Sequence, residues 1–533
     1  MLVTVLACSA CRRSPVDAAA GTEGYPWWND RVFYEVFVRS FRDSDGDGIG
    51  DLQGLIDRLD YLNDGDHLTD VDLGVTGIWL MPVAESPSYH GYDVVDYRQV
   101  ERDYGTNADL IRLIDEAHRR DMVVIVDLVL NHTSSQHPWF LDALTPGSQH
   151  DTWYVWRDED PGFRSPWGSQ VWHRAGDRYY YALFWSGMPD LNLENKKVTR
   201  ELHDIARFWL ADVGVDGFRL DGVKHYIENG ALQEHTEDTH QWVERLRRTV
   251  RRTSPSALVV GEVWSHTEYA AAYVGDELDL VFEFDLAEAI LESVRRGDKR
   301  SLSSVQQSVL QAYPPGQYAV FLSNHDQNRV LDQLRGDVSA AKVAATLLLT
   351  NPGVPFVYYG EEIGMSGSKP DERIRTPMSW DSSPAGGFTD GSPWQTMADS
   401  HPTANVQGLS GDPSSLLNHY RALIDLRDRH PALRIGEMWP VECESRQVYA
   451  YLRTSQDEAL LIVVNLSDDT VSRPSLTLEE SPLTPNPRGA LLLGVADISL
   501  PDIGEAGGFE RYVVAEALPP RSALIVDLTS ASQ

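Results

Sequence analysis

VDGFRLD (215–221) is an apolar, strand-like run that closes on a carboxylate, Asp221, with Arg219 two positions earlier and therefore on the same strand face. Two other runs end the same way: ALVVGE (257–262) on Glu262 and YAVFLSNHD (318–326) on Asp326. Five more, VFYEVFV (32–38), GIWLMP (77–82), VVIVDLV (123–129), LVFEF (280–284) and PFVYYGE (355–361), complete a set of eight. Between them, ADLIRLIDEAHRR (108–120) and TRELHDIARFWLADV (199–213) carry apolar residues at helical spacing. Strands that alternate with helices predict a parallel α/β architecture, and eight of them predict a (β/α)8 TIM barrel. Such barrels place their sites at the C-terminal strand ends, where Asp221, Glu262 and Asp326 fall after strands four, five and seven.

Two stretches lie outside the alternation. Residues 133–190, after the third strand, are rich in Trp, Tyr, Gly and Pro, and so long an insertion is usually functional. From about residue 435, VYAYLR (448–453), ALLIVVNL (459–466) and SALIVDL (522–528), separated by Pro and Gly turns, predict an antiparallel β domain. The expected division is an N-terminal segment and linker (1–24), a barrel in two parts (25–132 and 191–434), an inserted domain (133–190) and a C-terminal β domain (435–533).

The 533 residues are 42% hydrophobic and 10% aromatic, enough for a large core. A net charge of −34, spread over scattered Asp and Glu, argues against nucleic acid or an anionic membrane surface as partner. Three cysteines exclude a disulfide framework. Val5-Leu6-Ala7-Cys8 resembles the lipobox of bacterial lipoproteins, so Cys8 is the expected lipidation site and the lipid the expected membrane contact at a bacterial envelope. The alternative is a tail in which Cys8 and Cys11 have no role.

Three strand-end carboxylates suit the cleavage of sugar acetals. That reaction passes through an oxocarbenium-like transition state, so one carboxylate attacks or stabilises the anomeric carbon while a carboxylic acid protonates the departing oxygen. The acid keeps its proton through burial or a like charge, and the nucleophile stays ionised beside a cation, for which Arg219 is placed.

DLVLNH (127–132), GFRLDGVKH (217–225), GEVW (261–264) and FLSNHD (321–326) resemble, in order, the four signature regions of glycoside hydrolase family 13, the α-amylase family. MPDLN (188–192) resembles its fifth region and GYDVVDY (91–97) its glucose-gripping loop. The resemblance implies a retaining enzyme whose insertion is the B domain, with Asp221 as nucleophile, Glu262 as general acid and base, and Asp326 gripping the sugar hydroxyls. His132 and His325 would donate to the glucose at the cleaved end, Tyr92 would stack on it, and Asp93, paired with Arg375, would accept from two hydroxyls. Gly222-Val223-Lys224-His225 resembles α-1,4-acting members: Gly222 would leave room for a chain approaching through O4, and Lys224 and His225 would face the leaving side, Lys224 as a donor. With YLNDGD (61–66), SPSYHGYD (86–93) and FWSGMPDLN (184–192), the chain most resembles the intermediate α-amylases between the oligo-1,6-glucosidase and neopullulanase groups. An α-glucan or maltooligosaccharide is the implied substrate. An exo-acting α-glucosidase or a trehalose synthase-like transglycosylase is the second reading. A non-catalytic glucan-binding lipoprotein is a third, although such proteins typically lose one of the three carboxylates, all of which stand here.

Asp43, Asp45, Asp47 and Asp51, with the Ile49 carbonyl, put hard oxygen ligands at alternate positions around a glycine turn, a Ca²⁺ pattern. Position twelve of the loop is Gly54 instead of a bidentate Glu, which separates it from an EF-hand. By analogy with α-amylases a second Ca²⁺ would join the B domain to the barrel through Asn131, Asp190 and the His225 carbonyl.

Overall fold

A computed structural model describes residues 21–66, 69 and 71–530; the Cys8 expectation lies outside them. The eight runs form one parallel sheet: β1 (Phe33–Val36), β2 (Gly77–Leu80), β3 (Val123–Leu128), β4 (Gly217–Leu220), β5 (Leu258–Gly261), β6 (Leu280–Val281), β7 (Ala319–Val320) and β8 (Val354–Tyr358). Hydrogen bonding orders them β6-β5-β4-β3-β2-β1-β8-β7, and a parallel bridge between Phe282 and Ala319 joins the two edges, so the sheet closes into a barrel. β6 and β7 are two residues long, shorter than the apolar runs that carry them.

Because side chains alternate across a strand, each run serves two cores. Phe33, Trp79, Val123, Ile125, Leu258, Val260, Phe282 and Phe356 fill the barrel interior as one cluster. Tyr34, Ile78, Val124, Val126, Phe218 and Val259 point outward into the larger cluster that packs the helices. The helices are fixed by caps as well as by burial. α1 (Asn107–Arg119) opens with a capping box between Thr106 and Asp109 and buries Leu110, Leu113, Ile114 and Ala117. α2 (Val338–Thr350) is apolar along nearly its whole surface because the barrel lies on one side and the C-terminal sheet on the other.

Between β3 and β4 the chain forms a three-stranded antiparallel sheet of Trp156–Arg157, Arg178–Tyr181 and Trp172–Ala175. After the barrel, β9 (Glu437–Cys443), β10 (Val448–Thr454), β11 (Ala459–Asn465) and β12 (Ser522–Asp527) run antiparallel within a seven-stranded sheet. Arg453 of β10, fully buried, docks this sheet on the barrel by donating to the Thr350 carbonyl at the end of α2. None of the described helices is long and apolar enough to cross a membrane.

Candidate active site

The interior-facing positions of β1, β3, β4 and β5 become charged at the C-terminal rim. Glu35 continues the Phe33 face, Asp127 the Val123 and Ile125 face, and Glu262 the Leu258 and Val260 face. Arg219 and Asp221 share the inward face of β4. These side chains meet on one guanidinium. Arg219, 1% exposed, donates from Nη1 to Asp127 at 2.9 and 3.0 Å and to Asp221 Oδ1 at 2.7 Å, and from Nη2 to Glu262 Oε2 at 2.9 Å. Its cation lies over the Trp79 ring (5.3 Å) and the Tyr92 ring (5.9 Å). Glu262 Oε2 also accepts from the Gly222 N–H at 3.0 Å. Nucleophile and acid candidates are thus each anchored through one oxygen.

The far side of the rim is a second charged group. His325 Nδ1 bonds Glu35 at 2.5 Å, and its Nε2 lies 2.5 Å from Tyr92 Oη and 3.3 Å from Asp326. Tyr92 stacks on the imidazole at 5.4 Å. Arg375 donates to Asp326 Oδ1 at 2.8 Å and to the His325 carbonyl at 2.9 Å. Here the structure corrects the sequence reading: Arg375 pairs with Asp326 and Asp371, while Asp93 accepts from the Ser86 and Ser88 hydroxyls. The two serines stand five and seven residues before Asp93 in the same loop and satisfy it locally. Lys224 is also committed elsewhere, to Glu234 (2.9 Å) and the Trp264 carbonyl (2.8 Å). His132 is fully buried, with Nε2 against the Tyr92 carbonyl at 3.1 Å, and His225 Nδ1 meets the Gln233 carbonyl at 2.8 Å. Gly222 has a left-handed backbone (φ 53°), and a Cβ there would come within 3.2 Å of the Phe184 ring. The left-handed backbone favours glycine and the Phe184 ring leaves little room, so Gly222 does not by itself read the linkage.

Asp127, Asp221 and Glu262 share the one cation of Arg219, so burial and their mutual repulsion work against ionisation. Burial pushes Asp127 up to about 7 against the pull of Arg219. Burial also raises Asp221 and Glu262; Arg219 opposes it in both, while the other carboxylates add to it. Asp326 goes the other way: burial works upward, but His325 and Arg375 hold it well below the carboxylate range. Asp221 and Glu262 thus shift in the same direction, and the carboxylate held ionised at this rim is Asp326.

Burial works downward on His325, yet Asp326 and Glu35 carry it up to about 9. In the unfolded chain a histidine titrates near 6.5, so these ion pairs add stability that is complete below about pH 6.5 and lost as pH rises through about 9. His325→Gln is accordingly expected to lower the urea midpoint more at pH 6 than at pH 9.5. Equal losses at both values would remove the charged imidazole from the account.

Asp127 and Glu35 escaped the sequence reading. Both were visible as single carboxylates on the inward parity of otherwise apolar strands, a signal that only the arrival of Arg219 and His325 turns into a site.

In the loop after β1, Asp43, Asp45 and Asp51 bring one oxygen each within 4.8 Å of one another. Asp43 accepts from the Asp45, Gly46 and Gly48 amides and from Thr389 Oγ1. Asp51 caps the following turn through Gly54 N. Asp47 is outside the group of three and accepts from the Ile49 amide. At the other expected site, Asp190 accepts from Asn131 Nδ2 (2.8 Å) and Leu183 N (3.0 Å), and Asn131 Oδ1 is buried with no partner among the described residues. Burial pushes Asp190 up to about 7.

The family described as "Alpha amylase, catalytic domain" matches residues 35–436. Alpha-amylase 3 of Dictyoglomus thermophilum is 40% identical over 458 residues, covering 83% of this chain and 86% of that one. An oligo-1,6-glucosidase of Heyndrickxia coagulans is 32% identical over 528 residues, covering 84% and 93%. The crystal structure of an α-amylase from H. orenii superposes with a TM-score of 0.83 at 39% identity, covering 93% of this chain and 99% of that one. The chain therefore belongs to the α-amylase family, glycoside hydrolase family 13, and is an enzyme of glycosidic bonds built on a TIM barrel with a C-terminal antiparallel sheet.

Proposed function

We propose that this protein is a retaining α-glucan hydrolase that cleaves α-1,4 bonds of starch-type glucans and maltooligosaccharides. The observation that carries the reading is the single guanidinium of Arg219 holding Asp127, Asp221 and Glu262 at the barrel mouth. Asp221 attacks the anomeric carbon while Glu262 protonates the leaving oxygen; Glu262 then removes a proton from the water that releases the sugar. Asp326, kept ionised by His325 and Arg375, grips the hydroxyls of the glucose being cleaved. The α-1,4 preference rests on the Gly222–His225 resemblance and on the 40% identity to a protein named α-amylase. Product analysis on maltoheptaose, pullulan, maltose and trehalose tests it: mixed short maltooligosaccharides early in the reaction are expected. Glucose as the sole early product favours the exo-acting α-glucosidase, and a trehalose–maltose interconversion the transglycosylase.

A Ca²⁺ ion in the loop after β1 is part of the proposal. Asp43, Asp45 and Asp51 supply carboxylate oxygens close enough to share one hard cation, which would neutralise their mutual repulsion. The ion would be structural, tying the loop to Thr389 through Asp43. Asn131 Oδ1, buried beside Asp190 with no partner among the described residues, would give a second ion a place to bind. Chelation followed by metal removal is expected to lower the melting temperature, because an ion held at about a hundredfold over its Kd adds about 2.7 kcal/mol to the native state. An unchanged melting temperature would count against both ions.

A further inference from the structure

The seam between the barrel and the C-terminal sheet holds a cavity of about 510 Å³, within the roughly 300–1,000 Å³ of small-ligand sites. One wall is the helix Arg300–Ala312, part of the connection between β6 and β7, and the other is formed by β9 and β10. None of the residues proposed to cleave sugar lines it. The walls are tied together beside the start of the helix. Lys299 donates from its backbone N to the Arg446 carbonyl (2.9 Å) and from Nζ to the Cys443 carbonyl (2.7 Å). On the facing wall β9 and β10 pair in register, with Val441 opposite Ala450.

Gln306 lies on that helix and lines the cavity, although it is only 2% exposed. Neither its side-chain oxygen nor its nitrogen has a hydrogen-bond partner among the described residues. Tyr318 Oη is beside the amide without meeting it in hydrogen-bonding geometry, and is unpaired in the same sense. A primary amide brings two donors and an acceptor, and leaving them unpaired in the interior is costly. A ligand in the cavity would pair them.

The charged groups around the cavity are committed or repel an anion. Lys299 is held by the Cys443 carbonyl, Arg300 pairs with Asp298 (2.7 Å), and Glu442 stands exposed on β9. What remains is an uncharged amide beside the apolar surface of Leu310, Val441, Tyr449 and Ala450. That combination suits a neutral molecule with hydroxyls for the amide and C–H surface for the apolar wall.

We propose that this seam is a second, non-catalytic saccharide site that takes a short maltooligosaccharide, with Gln306 as its buried hydrogen-bonding group. The choice of maltooligosaccharide rests on the α-glucan hydrolase reading. A sugar held here touches the barrel and the C-terminal sheet together, so it binds only while the two are docked and stabilises that docking by mass action.

Equilibrium dialysis of Asp221→Asn, which holds maltotriose without consuming it, counts the sugars bound per chain. The count is expected to fall by one when Gln306→Leu is added. It should fall by one again when Ser303→Phe, which narrows the cavity and leaves the amide in place, is added instead. In the active enzyme Gln306→Leu should leave α-maltosyl fluoride turnover unchanged. Without sugar it should melt no lower than the wild type, because unpaired polar atoms give way to apolar ones of similar shape. Saturating maltotriose should raise the melting temperature of Asp221→Asn more than that of Asp221→Asn with Gln306→Leu. An equal count in all three proteins, or an equal rise in melting temperature, overturns the seam site while leaving the hydrolase reading intact. Lost α-maltosyl fluoride turnover in Gln306→Leu overturns its non-catalytic character. A wild type that cleaves no α-glucan overturns the hydrolase reading alone, since the dialysis count does not depend on cleavage.

Discussion

Asp221→Asn is expected to lower maltoheptaose turnover by on the order of 10⁴-fold or more, the scale on which enzymes lose rate when a covalent nucleophile is removed. The amide keeps the shape of the carboxylate and still offers Oδ1 to Arg219, whose 2.7 Å bond anchors the side chain. Folding should therefore survive, and the melting temperature should stay close to that of the wild type. What is lost is the negative charge that, in the proposed mechanism, attacks the anomeric carbon. The comparison of turnover with melting temperature separates the two effects. A variant that keeps a tenth of the wild-type rate would remove Asp221 from the nucleophile's role.

The second large effect is on stability. Arg219→Met leaves Asp127, Asp221 and Glu262 without the cation they share. Removing one partner of a buried ionic cluster costs about 3–5 kcal/mol, because uncompensated charge stays in the interior. The carboxylates respond by holding their protons to still higher pH. Their folded pKa values, already raised by burial, then move further above the unfolded values, and stability falls as pH rises through the intervening window. The deficit in urea should thus be larger at pH 7.5 than at pH 5, and Asp127→Asn added to Arg219→Met should restore part of it at pH 7.5. Double-mutant coupling of this kind is expected only between side chains in direct contact. A deficit independent of pH would mean that Arg219 acts through packing on Trp79 and Tyr92 alone.

Much of this arrangement is legible in the chain because strand alternation is a strong signal when one face fills a barrel. VVIVDLV and VDGFRLD put Asp127 and Arg219 on the same inward face before any contact is known, and the register pairs them directly. The eight strands are legible for the same reason, although β6 and β7 shrink to two residues where the ladder yields to the loops that bear Phe282 and Asp326. The partners of individual side chains are less legible. Asp93 and Arg375 are 282 positions apart, and nothing in the sequence says that Ser86 and Ser88 satisfy the carboxylate first. Lys224 likewise turns to Glu234, ten residues on, and to the Trp264 carbonyl. Gly222 illustrates a different limit: one small residue answers a backbone requirement and a steric one together, so its presence alone does not single out the linkage that is cut.

In the proposed mechanism Asp221 carries the sugar while Glu262 works on the leaving oxygen and then on water. Glu262→Gln treated with α-maltosyl fluoride tests it most directly, since fluoride departs without the acid and the trapped intermediate then lacks the base that would release it. Peptide mapping of the acid-quenched protein is expected to find the added maltosyl mass on the peptide that contains Asp221. An adduct on another carboxylate, or steady hydrolysis that yields the β-anomer with no adduct, would contradict the account.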